Sequence, residues 1–188
     1  MKAKDSGFYN NAFGKERYQT HYSESIYIDV WLKALEIIIR EKPKEILEVG
    51  CGSGQFAQLL FESGIKNYIG FDFSPKGLEV ARSLSPQRFF LGNAYDKSNY
   101  QDVNNLEILG SLEYDLTVCL EVLEHLEKDL EVLENMSGKV ILSVPNFDSE
   151  SHLRFFKRDL DAIDRYGKNF EIKEVYFIDN IYLLYGCR

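Results

Sequence analysis

The sequence predicts an α/β fold in which a mostly parallel sheet carries helices on both faces and ends in an antiparallel hairpin. Three observations predict it. Short β-rich runs alternate with helical patterns between residues 45 and 144, a glycine-rich turn at Gly50, Gly52 and Gly54 joins the first run to its helix, and the last two β-rich runs are separated only by Asp179-Asn180. A chain that crosses over a helix re-enters the sheet in the same direction, so alternating elements build parallel pairs. A two-residue connection instead folds a strand back on its neighbour.

Each element has its own signal. A polar, aromatic leader carries Phe8, Tyr9, Phe13, Tyr18, His21 and Tyr22. Ile28, Trp31, Leu32, Leu35, Ile38 and Ile39 then recur at helical spacing, predicting a helix over 25–40 with that stripe on the core, stopped by Pro43. Residues 45–49 read as a strand, 55–63 as a helix and 67–72 as a second strand, a βαβ unit. A helix over 74–84 and a short strand over 88–91 follow; 96–113 supports at most one short helix. The pattern then predicts a strand over 114–120, a helix over 122–136 and a strand over 139–144. After Asn146 a helix to about Tyr166, capped by Asp148 or Ser149, leads to strands 170–178 and 181–186, a hairpin on the sheet edge.

With 188 residues, 45% of them hydrophobic, the chain can bury one substantial core, so a single domain is expected, 1–42 forming an N-terminal lid and helix and 43–188 the α/β core. A net charge of −8 argues against a preformed basic surface and disfavours nucleic acid as a partner. The leader lacks the apolar centre of a signal peptide and no apolar run is long enough to cross a bilayer, so a cytoplasmic protein without a membrane partner is expected; oligomeric state is left open. Cys51, Cys119 and Cys187 lie in or beside predicted strands without C-x-x-C spacing and are expected to be reduced, buried thiols.

Leu47-Glu48-Val49-Gly50-Cys51-Gly52-Ser53-Gly54 places three alternating glycines after an acidic residue, between a strand and its helix. A turn this tight needs unusual dihedrals, and a missing Cβ lets a ligand touch the main chain beside a helix N-terminus. A dinucleotide fingerprint would put its third glycine where Gln55 stands, which leaves nicotinamide binding as the runner-up.

Here the sequence resembles the class I S-adenosylmethionine-dependent methyltransferases, whose first motif is an acidic residue and Gly-x-Gly-x-Gly after the first strand. That resemblance implies a Rossmann-like sheet, S-adenosylmethionine as cofactor and S-adenosylhomocysteine as product. It implies cofactor contacts from Glu48, Gly50, Cys51, Gly52 and Gly54, and from Asp72, about 20 residues beyond the glycines, as ribose partner. Phe73 and Ser74 follow where the family borders the adenine, and Asn93, Ala94 and Tyr95 stand where it reads the adenine edge, with Asn93 replacing the usual Asp. Leu120, closing the fourth strand, and Tyr22, in the leader, complete the expected contacts. The resemblance runs over residues 45–147 in order and spacing.

Methyl transfer from a sulfonium needs alignment and, for an alcohol, a base. The candidates are Glu121-x-x-Glu124-His125 and His152, with His21 as a second base candidate. If Glu121 is already helical, spacings of three and four put Glu124 and His125 on its face. A similar E-x-x-E-H run occurs in ubiquinone-biosynthesis O-methyltransferases and small-RNA 2′-O-methyltransferases. This implies Glu121, Glu124, His125 and His152 as ligands of a divalent metal such as magnesium; His125 as a metal-free base and a plain solvated helix face explain the same residues. His152 and Arg154 are expected to meet the acceptor, and Tyr18, His21 and Tyr22 to fold over the cofactor as a lid. The expected acceptor is a hydroxyl, or else a nitrogen, of a small polar metabolite such as a cell-surface sugar or secondary-metabolite precursor. An RNA-end 2′-O-methyltransferase and a non-catalytic cofactor-binding subunit are the alternatives.

Overall fold

A computed structural model describes residues 2–101 and 114–188. Helix α1 (Ser6–Phe13) opens the leader and α2 (Ile28–Glu41) closes it. There follow β1 (Ile46–Val49), α3 (Gln55–Glu62), β2 (Tyr68–Asp72), α4 (Pro75–Leu84), β3 (Arg88–Leu91) and α5 (Ser98–Gln101), then β4 (Leu116–Leu120), α6 (Asp129–Asn135), β5 (Lys139–Pro145), α7 (Asp159–Tyr166), β6 (Glu171–Ile178) and β7 (Ile181–Cys187). Of the stretch 96–113, expected to hold at most one short helix, the described part contains α5, and residues 102–113 lie outside the described residues.

The strands form one seven-stranded sheet in the order β3-β2-β1-β4-β5-β7-β6. Strands β1 to β5 pair in parallel, and β7 runs antiparallel to both β5 and β6. Asp179 and Asn180 both take positive φ, 49° and 65°, the handedness that lets a two-residue turn follow the twist of its strands. β6 is the sheet edge, as the hairpin predicted. Chain order reverses between β1 and β4, so the loops leaving those two strands diverge and open a crevice at their carboxyl ends.

The strands alternate their apolar residues between two cores. Leu116, Val118 and Leu120 pack with Trp31, Ala34 and Ile38 of α2 and Phe56 and Leu60 of α3. Leu47, Val49, Ile69, Phe71 and Cys119 pack with Val132, Leu133 and Met136 around α6 and Ala162 and Tyr166 of α7. Cys51 and Cys119 are buried thiols, whereas Cys187 is partly exposed. The buried stripe of α2 is rotated from the expected one: Val30, Ala34 and Ile37 are inside, while Leu32 and Ile39 are 45% and 55% exposed.

Two predicted helices are not continuous. Glu121 takes φ +55°, Leu123–His125 forms a single 3-10 turn, and Leu126 is extended before α6 begins at Asp129. Arg154 donates to the Leu123 and Leu126 carbonyls, each at 2.6 Å, and so takes acceptors that a helix would have used. The helix expected from Asn146 is also absent until α7, so neither Asp148 nor Ser149 is its cap. Instead Asn146 Nδ2 donates to the Phe156 and Lys157 carbonyls, Phe156 N to Pro145 O and Leu153 N to Glu124 O, folding 147–157 back over the 3-10 turn.

Candidate active site

The β1–α3 loop is fixed by main-chain bonds to the end of β2. Gly50 and Cys51 both donate to Phe71 O, and Gly52 N donates to Asp72 Oδ2 at 2.9 Å, while Ser74 N donates to Oδ1 at 2.8 Å. Gly52 can make this bond because it sits at φ +53°, a region costly for residues with a Cβ. Burial pushes the Asp72 carboxyl up to about 6, against the pull of its main-chain donors. Glu48 is also buried; it accepts from the Tyr68 hydroxyl, and burial pushes its carboxyl up to about 8.

The crevice contains two cavities with a common wall. The first, about 210 Å³, is bordered by Asp72, Phe73, Asn93, Ala94 and Tyr95. The second, about 410 Å³, is bordered by Glu48, Cys51, Gly52 and Leu120 at its inner end and by Tyr27, Trp31 and Phe147 farther out. Tyr9, Phe13, Gly50, Glu121 and His125 border both. Tyr9 and Phe13 are one helical turn apart on α1, which docks through Asn10: its Oδ1 accepts from Ser74 Oγ at 2.7 Å and from Lys76 N at 3.2 Å.

Glu124, His125 and His152 converge on the second cavity, each offering a ligand atom within 4.8 Å of the others. His125 Nδ1 lies 2.9 Å from Ser151 O and His152 Nδ1 lies 3.1 Å from Phe147 O. A ring nitrogen facing a carbonyl must carry the proton, so both imidazoles keep the Nε2 lone pair free. Burial lowers both imidazoles, leaving them neutral near pH 7. Glu124 is fully buried and neither of its oxygens has a hydrogen-bond partner among the described residues. Burial pushes its carboxyl well above the ordinary range.

Several predicted site residues stand elsewhere. Glu121 does not join the imidazole cluster: its left-handed backbone turns the carboxylate to Ser143, whose hydroxyl donates to Oε1 at 2.9 Å. The helical spacing argument for Glu121, Glu124 and His125 therefore fails, although Glu124 and His125 meet through the 3-10 turn. Ser74 is fully buried, its hydroxyl committed to Gly77 N and Asn10, and it borders neither cavity. Gly54 borders neither as well; a Cβ there would lie 2.7 Å from Ala81 Cβ, so this glycine serves the contact between α3 and α4. His21 pairs with Glu62 at 3.2 Å and stacks on Tyr22, away from both cavities. Arg154 spends its guanidinium on main-chain carbonyls and Asp129 rather than facing an acceptor. The part of the leader that covers the crevice is α1, with Tyr18 but not His21 or Tyr22 lining the second cavity. The legible signal for α1 was Asp5, whose side chain caps the helix by accepting from Phe8 N, followed by aromatic residues at i and i+4.

A methyltransferase domain family model matches residues 18–169, most of the chain. The chain belongs to the methyltransferase domain family, of the class I S-adenosylmethionine-dependent type. Among relatives of this chain, a ubiquinone biosynthesis O-methyltransferase of Coxiella burnetii is 30% identical over 66% of this chain and 53% of the relative. A small RNA 2′-O-methyltransferase of Arabidopsis thaliana is 31% identical over 64% of this chain but 14% of its own length. The chain thus spans about half, or much less, of the curated relatives it matches. The magnesium protoporphyrin IX methyltransferase of Synechocystis PCC 6803, solved with bound S-adenosylmethionine, shares the fold with a TM-score of 0.68, at 17% identity over 98% of this chain and 97% of that one.

Proposed function

We infer that this methyltransferase transfers a methyl group from S-adenosylmethionine to a hydroxyl of a small polar acceptor. The observation that carries the reading is His125: a neutral imidazole with a free Nε2, on the wall common to both cavities, beside the buried Glu124. The crevice fits the cofactor. Gly50 and Gly52 leave bare main chain against the second cavity, Asp72 is placed to accept from ribose hydroxyls, and Glu48 is a buried acid for the ligand's ammonium group. Phe73, Asn93, Ala94 and Tyr95 then surround the adenine.

The cofactor supplies a methyl already activated on a sulfonium, so the residues have only to align the acceptor and receive its proton. His125 takes that proton on Nε2, and the Ser151 carbonyl stabilises the imidazolium through Nδ1–H. A neutral amine acceptor would not need this base, which favours oxygen over nitrogen. The second cavity is bordered by Glu48, Glu121, Glu124 and Glu150 against Lys15 and Arg17. Two cations at this cavity, on a chain of net charge −8, make a weak match for a phosphate backbone, which supports an uncharged polyhydroxyl or ring acceptor, as in sugars or secondary metabolites, over RNA.

A divalent ion is supported by the orphaned Glu124 carboxylate together with the two converging imidazoles. That set of two nitrogens and one oxygen suits manganese, iron or zinc better than magnesium, and Glu121 is not part of it. Bound there, the ion would occupy Nε2 of His125 and polarise an acceptor hydroxyl in place of the base, so the ion and the metal-free base are alternative routes to the same transfer.

Calorimetric titration with S-adenosylhomocysteine and with NAD, for wild type and Asp72→Ala, with manganese or a chelator, tests the reading. Micromolar binding of the homocysteine product, weakened about tenfold or more by Asp72→Ala, is expected. Binding of NAD instead would refute it, and a titration unaffected by manganese would remove the ion.

A further inference from the structure

Tyr9 sits where the two cavities meet. Its ring packs edge-on against Phe73 at 5.3 Å and against His125 at 5.8 Å, which holds it between the adenine side and the imidazole side of the crevice. Its hydroxyl oxygen is buried and has no hydrogen-bond partner among the described residues. A buried hydroxyl without a partner is costly and therefore rare in a finished core. Burial raises this hydroxyl above its usual range, and the nearby Glu124, Asp72 and Tyr18 add to the effect. In S-adenosylmethionine the sulfur joins the nucleoside to the amino acid, and a ligand spanning both cavities must place that sulfur at their junction.

Resting on the proposed function, we propose that the Tyr9 hydroxyl, carried by the leader helix, is a direct contact to the sulfonium centre. Its lone pairs face the polarised C–H groups on the positive sulfur, and its ring bars water from the transferring methyl. S-adenosylhomocysteine has a neutral sulfur and no methyl, so the same oxygen gains little from it. Tyr9 thereby favours the loaded cofactor over the spent product.

The test compares S-adenosylmethionine and S-adenosylhomocysteine binding to wild type and Tyr9→Phe by calorimetry. Phenylalanine keeps the ring packing, and product binding itself reports that the crevice is folded. Tyr9→Phe is expected to weaken S-adenosylmethionine by about threefold to fivefold, the range of such weak contacts, while leaving S-adenosylhomocysteine within about twofold. Equal effects on the two ligands, or none, overturn the proposal and leave the cofactor reading intact. Failure of wild type to bind either ligand overturns both.

Discussion

Glu48 shows what a single buried acid does to stability and to binding at once. Its carboxyl is raised from 4.5 to about 8 by burial, with only the Tyr68 hydroxyl as a compensating donor. Between those values the unfolded chain has lost the proton that the folded chain must hold, so the folded state binds more protons and stability falls as pH rises. Below about pH 4.5 the effect vanishes. Glu48→Gln removes the titration while preserving an acceptor for Tyr68. In urea denaturation the variant is expected to match wild type near pH 5 and to be more stable at pH 8, by on the order of a few kcal/mol. The same variant should bind S-adenosylhomocysteine about tenfold more weakly, because its amide cannot pair with an ammonium group. A gap that does not grow with pH would mean that the carboxylate is ionised in the folded protein. Weaker product binding by a variant that is itself more stable would mark Glu48 as a binding group rather than a core one.

At the scale of elements, what was legible followed periodicity, and what was not followed long-range hydrogen bonds. β3 and both hairpin strands lie within a residue of their predicted limits because their neighbours impose a period of two and a tight turn. Residues 122–136 carry a good helical pattern and still break, because Arg154 arrives from 28 residues beyond Leu126 to claim its carbonyl, a contact that no local pattern encodes. That break places Glu124 and His125 on the crevice, and it is held by the Arg154–Asp129 pair, with Arg165 and the Tyr166 hydroxyl on the same carboxylate. Arg154→Ala is expected to cost about 2 kcal/mol in chemical denaturation, since it leaves buried carbonyls unpaired. Arg154→Lys should recover little of this, because a point charge cannot reach several carbonyls as the planar fork does. Full recovery by lysine would show that charge alone holds the turn. Gly54 makes the complementary point: its place in the motif was legible, but its task, admitting Ala81 of α4 against α3, depends on a partner 27 residues away.

Across the whole molecule, the parallel sheet and its antiparallel edge hairpin followed from the alternation of elements, whereas the strand order and the residues that roof the crevice did not. The leader was expected to contribute Tyr18, His21 and Tyr22; Tyr18 does line the second cavity, but His21 and Tyr22 do not, and α1 supplies Tyr9 and Phe13 because Asn10 ties it to the start of α4. Phe13 then lies over Gly52 and Gly77, close enough that a Cβ on either would be about 3 Å from its ring. With Ala3, Lys4, Tyr9 and Phe13 all bordering the first cavity, an adenosyl ligand held there would lie beneath α1, and lifting of α1 is the expected route for its exchange. Asn10 is the latch for that movement, and its loss should leave the fold intact while raising the open population. Two lost hydrogen bonds worth about 1 kcal/mol net correspond to roughly a fivefold shift. Asn10→Ala is therefore expected to release bound S-adenosylhomocysteine about fivefold faster in stopped-flow displacement, with its melting temperature lowered by only a few degrees. An unchanged release rate would make α1 a fixed wall and require another entrance, whereas acceleration shows that the leader helix controls the cofactor's path.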